Sequence, residues 1–316
     1  MKGRHFTMGT AMNFMPTTPP NLWLLNDPDA SKVYLRSVCS WTRSARGLHA
    51  ENRMRTRSKL LVGCAIMALL LTLSAVSCTH AERATGHWGY EGTSGPEYWA
   101  QLSQEYAVCG EGRAQSPIDI TDAIPSSLAH PQFFYQNMPL RIRNMRIRNT
   151  GHTFQVAGDS TGFMQVGTSR YELVEFHFHR PSGHKLNGRS YDMEVHLVHR
   201  GLDGERAVVG VFMEISERDN LVISKIWDYL PADEREEHLV DQVLINPAEL
   251  LPSNRSFYHY SGSLTTPPCS EGVKWYIMKH PIKVSEERVA RFSSLYRVHA
   301  RPVQPSNGRV IESSIR

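Results

Sequence analysis

The chain has 316 residues, of which 41% are hydrophobic and 21% charged, which is ordinary for a globular protein and enough for one large domain or two small ones. A formal net charge of +4 is too mild to indicate a nucleic-acid-binding protein. The locally basic run 141–149 (RIRNMRIRN) alternates Arg and Ile at strand period, which favours a strand with one solvated face over a binding patch.

Residues 1–53 have no sustained period, and we predict no fold for them. Basic residues then precede an apolar run at 60–76, and small residues follow it, which is the layout of a secretory signal peptide. Because such peptides lie at the N-terminus, we expect Met54 to be the true start and 1–53 to be an over-extended reading frame. The alternative is a membrane anchor, although the run is shorter than the roughly 20 residues that a span needs.

The end of the apolar run leaves residues 54–78 open between two kinds of signal. Ala75-Val76-Ser77-Cys78 resembles a bacterial lipobox, in which Cys78 would become the first mature residue and carry lipid. Cleavage after Ser77 or Ala81 without lipidation is the alternative. Both predict export, to the periplasm or to the cell envelope, with residues 79–86 as a short linker to the mature domain.

The cysteines are consistent with export. Of five, Cys39, Cys64 and Cys78 lie before the mature domain, and only Cys109 and Cys269 remain within it. A lone pair in an exported domain is a disulfide candidate, and two free thiols are the alternative.

From His87 onward the pattern is mainly β. Strand-like stretches separated by turn residues lie at 140–149, 152–158, 163–167, 171–179, 192–200, 207–215 and 273–279. Apolar residues at helical spacing predict two peripheral helices, at 219–230 with Asp219 or Asn220 as cap and at 285–296 with a serine cap. No repeat or low-complexity linker interrupts this part, so we expect 87–316 to form one mainly β domain.

Three histidines in two of these strands suggest a metal centre. Residues two apart in a strand point to the same side, so His177 and His179 project together. If the strand at 192–200 pairs beside them, His196 completes three imidazoles, the protein ligand set of a catalytic zinc site. Metal-bound histidines usually donate their other N–H to a carboxylate or carbonyl, and Glu175 and Glu194 stand two residues before His177 and His196. A packed, hydrogen-bonded histidine pair is the alternative for His177 and His179 alone.

The same stretches also resemble a known family. The motifs, in chain order, are HWGY (87–90), GPEYW (95–99), QSPIDI (115–120), NTGHTFQV (149–156), FHFHRPS (176–182), EVHLVH (194–199), GSLTTPPC (262–269), VKW (273–275) and RPVQP (301–305). With these motifs, the domain resembles the alpha-class carbonic anhydrases of the bacterial, exported type. The resemblance implies a large twisted, predominantly antiparallel sheet of about ten strands, with peripheral short helices and zinc in a central conical cleft.

The resemblance also implies an activity and its residues. The reaction is the zinc-dependent, reversible hydration of carbon dioxide by water to bicarbonate and a proton, through attack of zinc-bound hydroxide. One Zn²⁺ per chain would be held by His177, His179 and His196. His152 matches the proton shuttle, and its ordinary pKa of about 6.5 suits transfer near neutral pH. Thr265 matches the hydroxyl that orients the zinc hydroxide.

Other positions follow from the same resemblance. Cys109 and Cys269 match the disulfide pair of exported members. Polar residues that match the water network are Tyr90, Asn149 and Gln155. Residues that match the wall of the substrate pocket are Val198, Val208, Leu264, Val273 and Trp275, although for each of these the sequence alone would favour ordinary core. Thr266 lines the same wall.

Two residues depart from the family pattern, Thr150 mildly, one step before the glycine of the shuttle turn, and Gly183 more seriously. After the second histidine the family usually reads Pro-Ser-Glu-His, whereas this chain reads Pro181-Ser182-Gly183-His184. The missing glutamate normally accepts a hydrogen bond from the threonine that matches Thr265. The sequence therefore predicts a zinc hydratase, with a zinc-binding relative of weak or no hydratase activity as the alternative.

Overall fold

The computed structural model describes residues 86–135, 145–158, 162–240, 245–297 and 299–315. These lie in a compact unit that spans His80–Arg316. The predicted extension 1–53, the signal at 54–78 with its cysteines Cys39, Cys64 and Cys78, and most of the linker lie outside the described residues. Within the described ranges no helix is both long and apolar enough to cross a membrane.

The architecture is mainly β, as predicted. The described residues form fourteen strands, which are β1 Asp119–Ile120, β2 Ile124–Ser126, β3 Gln132–Phe133, β4 Met145–Asn149, β5 Phe154–Ala157, β6 Phe163–Val166, β7 Ser169–His179, β8 Lys185–Leu186, β9 Met193–Gly201, β10 Arg206–Ile215, β11 Glu237–Val240, β12 Phe257–Ser263, β13 Glu271–Val284 and β14 Glu312–Ser314. The same ranges contain four α-helices, which are α1 Trp99–Leu102, α2 Val108–Glu111, α3 Leu221–Trp227 and α4 Glu286–Leu295. Short 3₁₀ turns lie at 92–94, 104–106 and 247–250.

Twelve of the described strands form one large sheet. Its continuous path is β11-β4-β5-β7-β9-β10-β13-β12-β14-β2, and β6 extends it by pairing with β7 and β3. Most neighbours are antiparallel, whereas β10 with β13 and β14 with β2 are parallel. The predicted sheet of about ten strands, predominantly antiparallel, is confirmed by this path, and a separate parallel pair joins β1 to β8.

The two faces of the sheet carry separate cores. Phe176, Phe178 and Leu197 belong to the larger cluster, against which Trp227 of α3 and Phe292 of α4 also pack. The opposite face carries a smaller cluster around Val208, Val273 and Trp275. Because the helices cover the first face, the second remains available for a cleft.

The two longer helices begin at the predicted kind of cap. The Asn220 side chain accepts hydrogen bonds from the backbone N–H groups of Val222 and Ile223, and the Ser285 hydroxyl accepts one from Arg288. Both caps satisfy donors that the first helical turn leaves without partners.

Candidate active site

The register of three central strands brings the predicted histidines together. β7 and β9 pair antiparallel with His177 directly opposite His196, and β10 places Gly210 opposite His196. The ring centroids of His177, His179 and His196 lie 4.5 to 5.3 Å apart. One ligand atom from each ring lies within 4.8 Å of the others. The expected pairing of the two strands is therefore present.

Each of these three imidazoles has one nitrogen held by the protein. Both oxygens of Glu175 accept from His177 Nδ1 at 3.0 Å, and Glu194 Oε1 accepts from His196 Nε2 at 2.9 Å. His179 Nδ1 donates to the carbonyl oxygen of His299 at 2.7 Å. These contacts leave His177 Nε2, His179 Nε2 and His196 Nδ1 for a ligand.

The unused nitrogen of His179 is buried and has no hydrogen-bond partner. An orphaned buried polar atom costs free energy unless something binds it. Burial, together with the neighbouring His196 and His177, holds the pKa of His179 well below its usual range. A neutral imidazole with a free lone pair is the form that binds a metal, so the residues present fit a zinc ion.

Behind His196 a buried chain of hydrogen bonds runs to the loop that carries Thr265. Glu194 accepts from the backbone N–H of His184 at 2.9 Å and from His184 Nδ1 at 2.7 Å. Tyr260 Oη lies 2.6 Å from His184 Nε2 and 2.8 Å from Ser116 Oγ. Ser116 Oγ in turn accepts from the backbone N–H of Ser263, at the end of β12.

The carboxyl group of Glu194 has a lowered pKa within this chain of hydrogen bonds. Burial alone would raise the pKa of its carboxyl group, but His184 and His196 hold that pKa well below its usual range. His184, Glu194 and His196 also lie close enough to hold a metal among themselves. The hydrogen bonds among these three residues already explain why they lie close together. We therefore interpret His184 and Glu194 as residues that hold His196 in place.

Gly262 makes the support possible. A Cβ atom at 262 would stand 2.2 Å from Ser116 Oγ and 2.9 Å from Trp275 Cδ1. Only a residue without a side chain therefore lets β12 approach Ser116 this closely.

The predicted shuttle lies in a turn between β4 and β5. The His152 ring stacks on Trp88, with centroids 3.8 Å apart and planes at 19°. The Tyr90 ring lies 6.3 Å from His152 and 4.8 Å from His299. Burial lowers the pKa of His152, His87 lowers it further, and Glu234 opposes both.

The other two residues of the predicted water network differ in placement. Gln155 lies opposite His177 in the pairing of β5 with β7, on the same face as the three histidines. Asn149 is buried, and its amide oxygen accepts from Gly151 N at 2.9 Å and from Tyr296 Oη at 2.5 Å. Asn149 therefore holds the shuttle turn through protein contacts, which its sequence position did not suggest.

The predicted pocket wall forms one apolar patch beside His196. Val208 lies opposite Val198 in β9 and Trp275 in β13. The smaller core cluster includes Val273, and Leu264 packs against it. The Trp275 ring lies 4.9 Å from His196. Thr265 is buried, and Thr266 is half-buried beside it in the same loop.

Cys109 and Cys269 form a disulfide bond, and with Trp99 they make a small third core. The bond joins α2 to the loop of Thr265 and Thr266.

Comparison with known proteins identifies the family. The model of the eukaryotic-type carbonic anhydrase family matches residues 94–315. The chain belongs to this alpha carbonic anhydrase family. A carbonic anhydrase from Nostoc sp. is 37% identical over 264 residues, 82% of this chain and 98% of the relative. One from Klebsiella pneumoniae is 38% identical over 248 residues, 77% of this chain and 96% of the relative.

Comparison with solved structures gives the same family. The alpha-carbonic anhydrase of Thermovibrio ammonificans, in complex with the inhibitor sulfanilamide, is 40% identical with a TM-score of 0.68, over 72% of this chain and 99% of that one. The chain is therefore a carbonic anhydrase, an enzyme whose small-molecule substrates are carbon dioxide, water and bicarbonate. Members of this family generally use zinc.

Several residues around the centre of this carbonic anhydrase were missed by sequence reasoning. His184 supports Glu194, and its position in the Pro-Ser-Gly-His stretch was the available signal. His299 contributes a backbone carbonyl, which no residue pattern reveals. Trp88 lies in the quoted HWGY motif, but the motif does not say what the ring stacks on.

Proposed function

We propose that this chain binds one zinc ion through His177 Nε2, His179 Nε2 and His196 Nδ1 and hydrates carbon dioxide reversibly at that centre. The observation that carries the proposal is the set of three imidazoles whose other nitrogens are all held, with a buried and unpartnered Nε2 on His179. Zinc in such a site lowers the pKa of water at its open position from about 15.7 to about 7, so that hydroxide exists near neutral pH.

The chain's own residues would divide the remaining work. The apolar patch of Val198, Val208 and Trp275 offers carbon dioxide a dry surface next to His196. His152, at the outer turn, accepts the proton that each turnover releases and passes it to buffer. Glu175, Glu194 and the His299 carbonyl keep the three rings in place, which matters because an open metal site needs fixed ligands.

Thr265 is the residue whose role is least constrained by its surroundings. A threonine hydroxyl has one proton and two lone pairs. An acceptor for its proton would oblige it to receive, rather than donate, at the attacking hydroxide. Within the described part of the chain the Thr265 hydroxyl has no hydrogen-bond partner, and residue 183 is glycine. This observation favours the alternative of a zinc protein with weak hydratase activity.

The deciding experiment measures zinc content and stopped-flow carbon dioxide hydration on the same purified protein. We expect one zinc per chain, hydration, and inhibition by an aromatic sulfonamide. His196→Ala should lose the zinc, whereas the matched variant of a half-exposed histidine, His238→Ala, should keep it. Full zinc occupancy in His196→Ala would overturn the ligand assignment. Stoichiometric zinc without measurable hydration would establish the alternative.

We further propose that the domain is exported, with or without lipid on Cys78. The signal layout at 54–78 and the Cys109–Cys269 disulfide support this, since disulfides persist in oxidising compartments. Mass spectrometry of the mature N-terminus in cells distinguishes a lipidated Cys78 from plain cleavage. A mature chain that still begins before residue 54, together with free thiols at 109 and 269, would contradict export.

A further inference from the structure

The turn that carries His152 is bonded to a loop that the family motifs do not include. The Arg235 N–H donates to the carbonyl of Asn149 at 2.7 Å, and the Asn149 N–H donates to the carbonyl of Glu236 at 2.9 Å. These two bonds fix the loop 231–236 against the turn 149–152. One side chain of this loop is thereby held close to His152, the predicted proton shuttle.

Glu234 is that side chain. Its carboxyl carbon and Oε2 each lie 3.5 Å from the place where a Cβ atom of Gly151 would stand. Gly151 has φ +78°, a conformation that favours glycine, and its lack of a side chain leaves the carboxylate next to the residue before His152. In the described ranges Glu234 forms no ion pair, so its charge is not neutralised by a neighbouring cation.

The remaining ionisable groups around His152 are of both signs. Residues within 87–94 and within 295–299 line a cavity of about 300 Å³ next to the His152 imidazole. The titratable and charged residues on those two segments are His87, Tyr90, Glu91, Tyr296, Arg297 and His299. Burial and His87 favour the neutral imidazole, and Glu234 acts in the opposite direction.

We propose that Glu234 is a positioning residue that stabilises the proton-carrying form of the His152 side chain during turnover. The inference rests on the proposed shuttle role of His152. Each hydration of carbon dioxide releases one proton, which His152 would accept through water and pass to buffer. Glu234 itself takes up no proton in this cycle and forms no covalent bond. A proton relay works best when its pKa is near the working pH, and Glu234 counters the burial that would move it away.

The first test is an NMR titration of the His152 imidazole in the purified protein. Glu234→Gln keeps the shape of the side chain and removes its charge, and Asp233→Asn is the matched control in the same exposed loop. We expect Glu234→Gln to lower the pKa of His152 and Asp233→Asn to leave it near the wild-type value. The effect should shrink between about 10 mM and 1 M salt, because the screening length falls from about 30 Å to about 3 Å. Equal His152 titration in wild type and Glu234→Gln at low salt would overturn the proposal.

The second test separates this inference from the shuttle itself. We expect Glu234→Gln to move the pH midpoint of kcat to lower pH and to leave kcat/KM unchanged. Added to His152→Ala, it should cause no further loss of kcat. A further loss, or an unmoved kcat profile despite a lowered pKa, would overturn the proposal. If His152→Ala alone keeps wild-type turnover, the shuttle role fails, and that result is obtained without any variant of Glu234.

Discussion

The three imidazoles of the candidate metal centre differ in what holds their second nitrogen. His177 is held by the buried carboxylate of Glu175, His196 by the fully buried carboxylate of Glu194 and His179 by a backbone carbonyl. A carboxylate raises the basicity of the ring that it accepts from more than a carbonyl does. The candidate centre would therefore combine two strongly donating ligands with one weaker ligand, and each ring is oriented by its hydrogen bond.

Replacing His152 should slow turnover without disturbing the metal. We expect His152→Ala to lower kcat at saturating carbon dioxide by about 10- to 100-fold, within the range for general acid–base groups. Imidazole buffer should restore part of the rate, because a diffusible base can use the vacated space. Zinc content should stay at the wild-type level. Unchanged kcat, or no response to imidazole, would mean that another route carries the proton.

Restoring a carboxylate at residue 183 should speed the reaction. A Cβ atom at 183 would meet Pro117 Cγ at 3.3 Å and Glu194 Oε2 at 3.7 Å, so a side chain fits after a small adjustment. The new carboxylate would accept a hydrogen bond from the Thr265 hydroxyl. One preorganised active-site hydrogen bond is worth at most about 10²–10³ in rate. We expect Gly183→Glu to raise hydration and Gly183→Ala not to do so. A folded, zinc-loaded Gly183→Glu with unchanged rate would show that Thr265 is already oriented.

At this scale the sequence predicts side chains better than it predicts contacts. The side-chain period of two in β7 was enough to group His177 with His179. The role of Asn149 was not predictable, because its partner Tyr296 lies 147 residues away. The contact with His299 was not predictable either, because it uses the backbone carbonyl, a group that every residue carries.

Among the elements, the pairing of β9 with β10 determines how much room the centre has. Gly210 lies opposite His196, and a Cβ atom there would stand 2.9 Å from Glu194 Oε1 and 2.6 Å from Ile277 Cδ1. Glu194 cannot yield easily, since three hydrogen bonds hold its two oxygens. The glycine therefore keeps the space in which the carboxylate reaches His196.

We expect Gly210→Ala to weaken zinc binding by about 10- to 100-fold, the usual cost of disturbing a group that orients a metal ligand. Competition with a chromogenic chelator measures the affinity. The control is Ala207→Gly, which lies on the same strand, β10. A second glycine variant, Gly188→Ala, is unsuitable as a control, because the φ of +79° at Gly188 disfavours any side chain there. Wild-type zinc affinity in Gly210→Ala would mean that Ile277 and the strand adjust without moving Glu194.

Element prediction found the four longest described strands, β7, β9, β10 and β13. The seven predicted stretches all contain an observed strand, although 140–144 lies outside the described residues. The short strands β1, β2, β3, β8 and β14 have only two or three residues and thus no measurable period. β12 was missed because its burial does not alternate along Phe257–Ser263. β13 runs past its predicted end because its pairing with β10 resumes after a register shift.

Across the described domain, the disulfide is a covalent constraint between distant parts of the chain. Cys109 and Cys269 are 160 residues apart, and closing a loop of that length stabilises by about 5 kcal/mol on the chain-entropy estimate. We expect the double variant Cys109→Ser/Cys269→Ser to lose most of that from the free energy of unfolding in urea. Wild type under reductant should match the variant. If reductant leaves wild-type stability unchanged, the bond does not form in the protein.

The opposition of His177 and His196 across β7 and β9 also bears on which changes in chain length the protein can accept. The turn at Asn187–Gly188 between them can gain or lose a residue at the surface, and the pairing of the strands stays as it is. One residue inserted between Glu194 and His196 would turn the imidazole to the helix-covered face and leave the other two histidines without their third member. Insertions and deletions in natural variants should therefore collect in the turn and be absent from the strands, and surveying them needs no assay of activity.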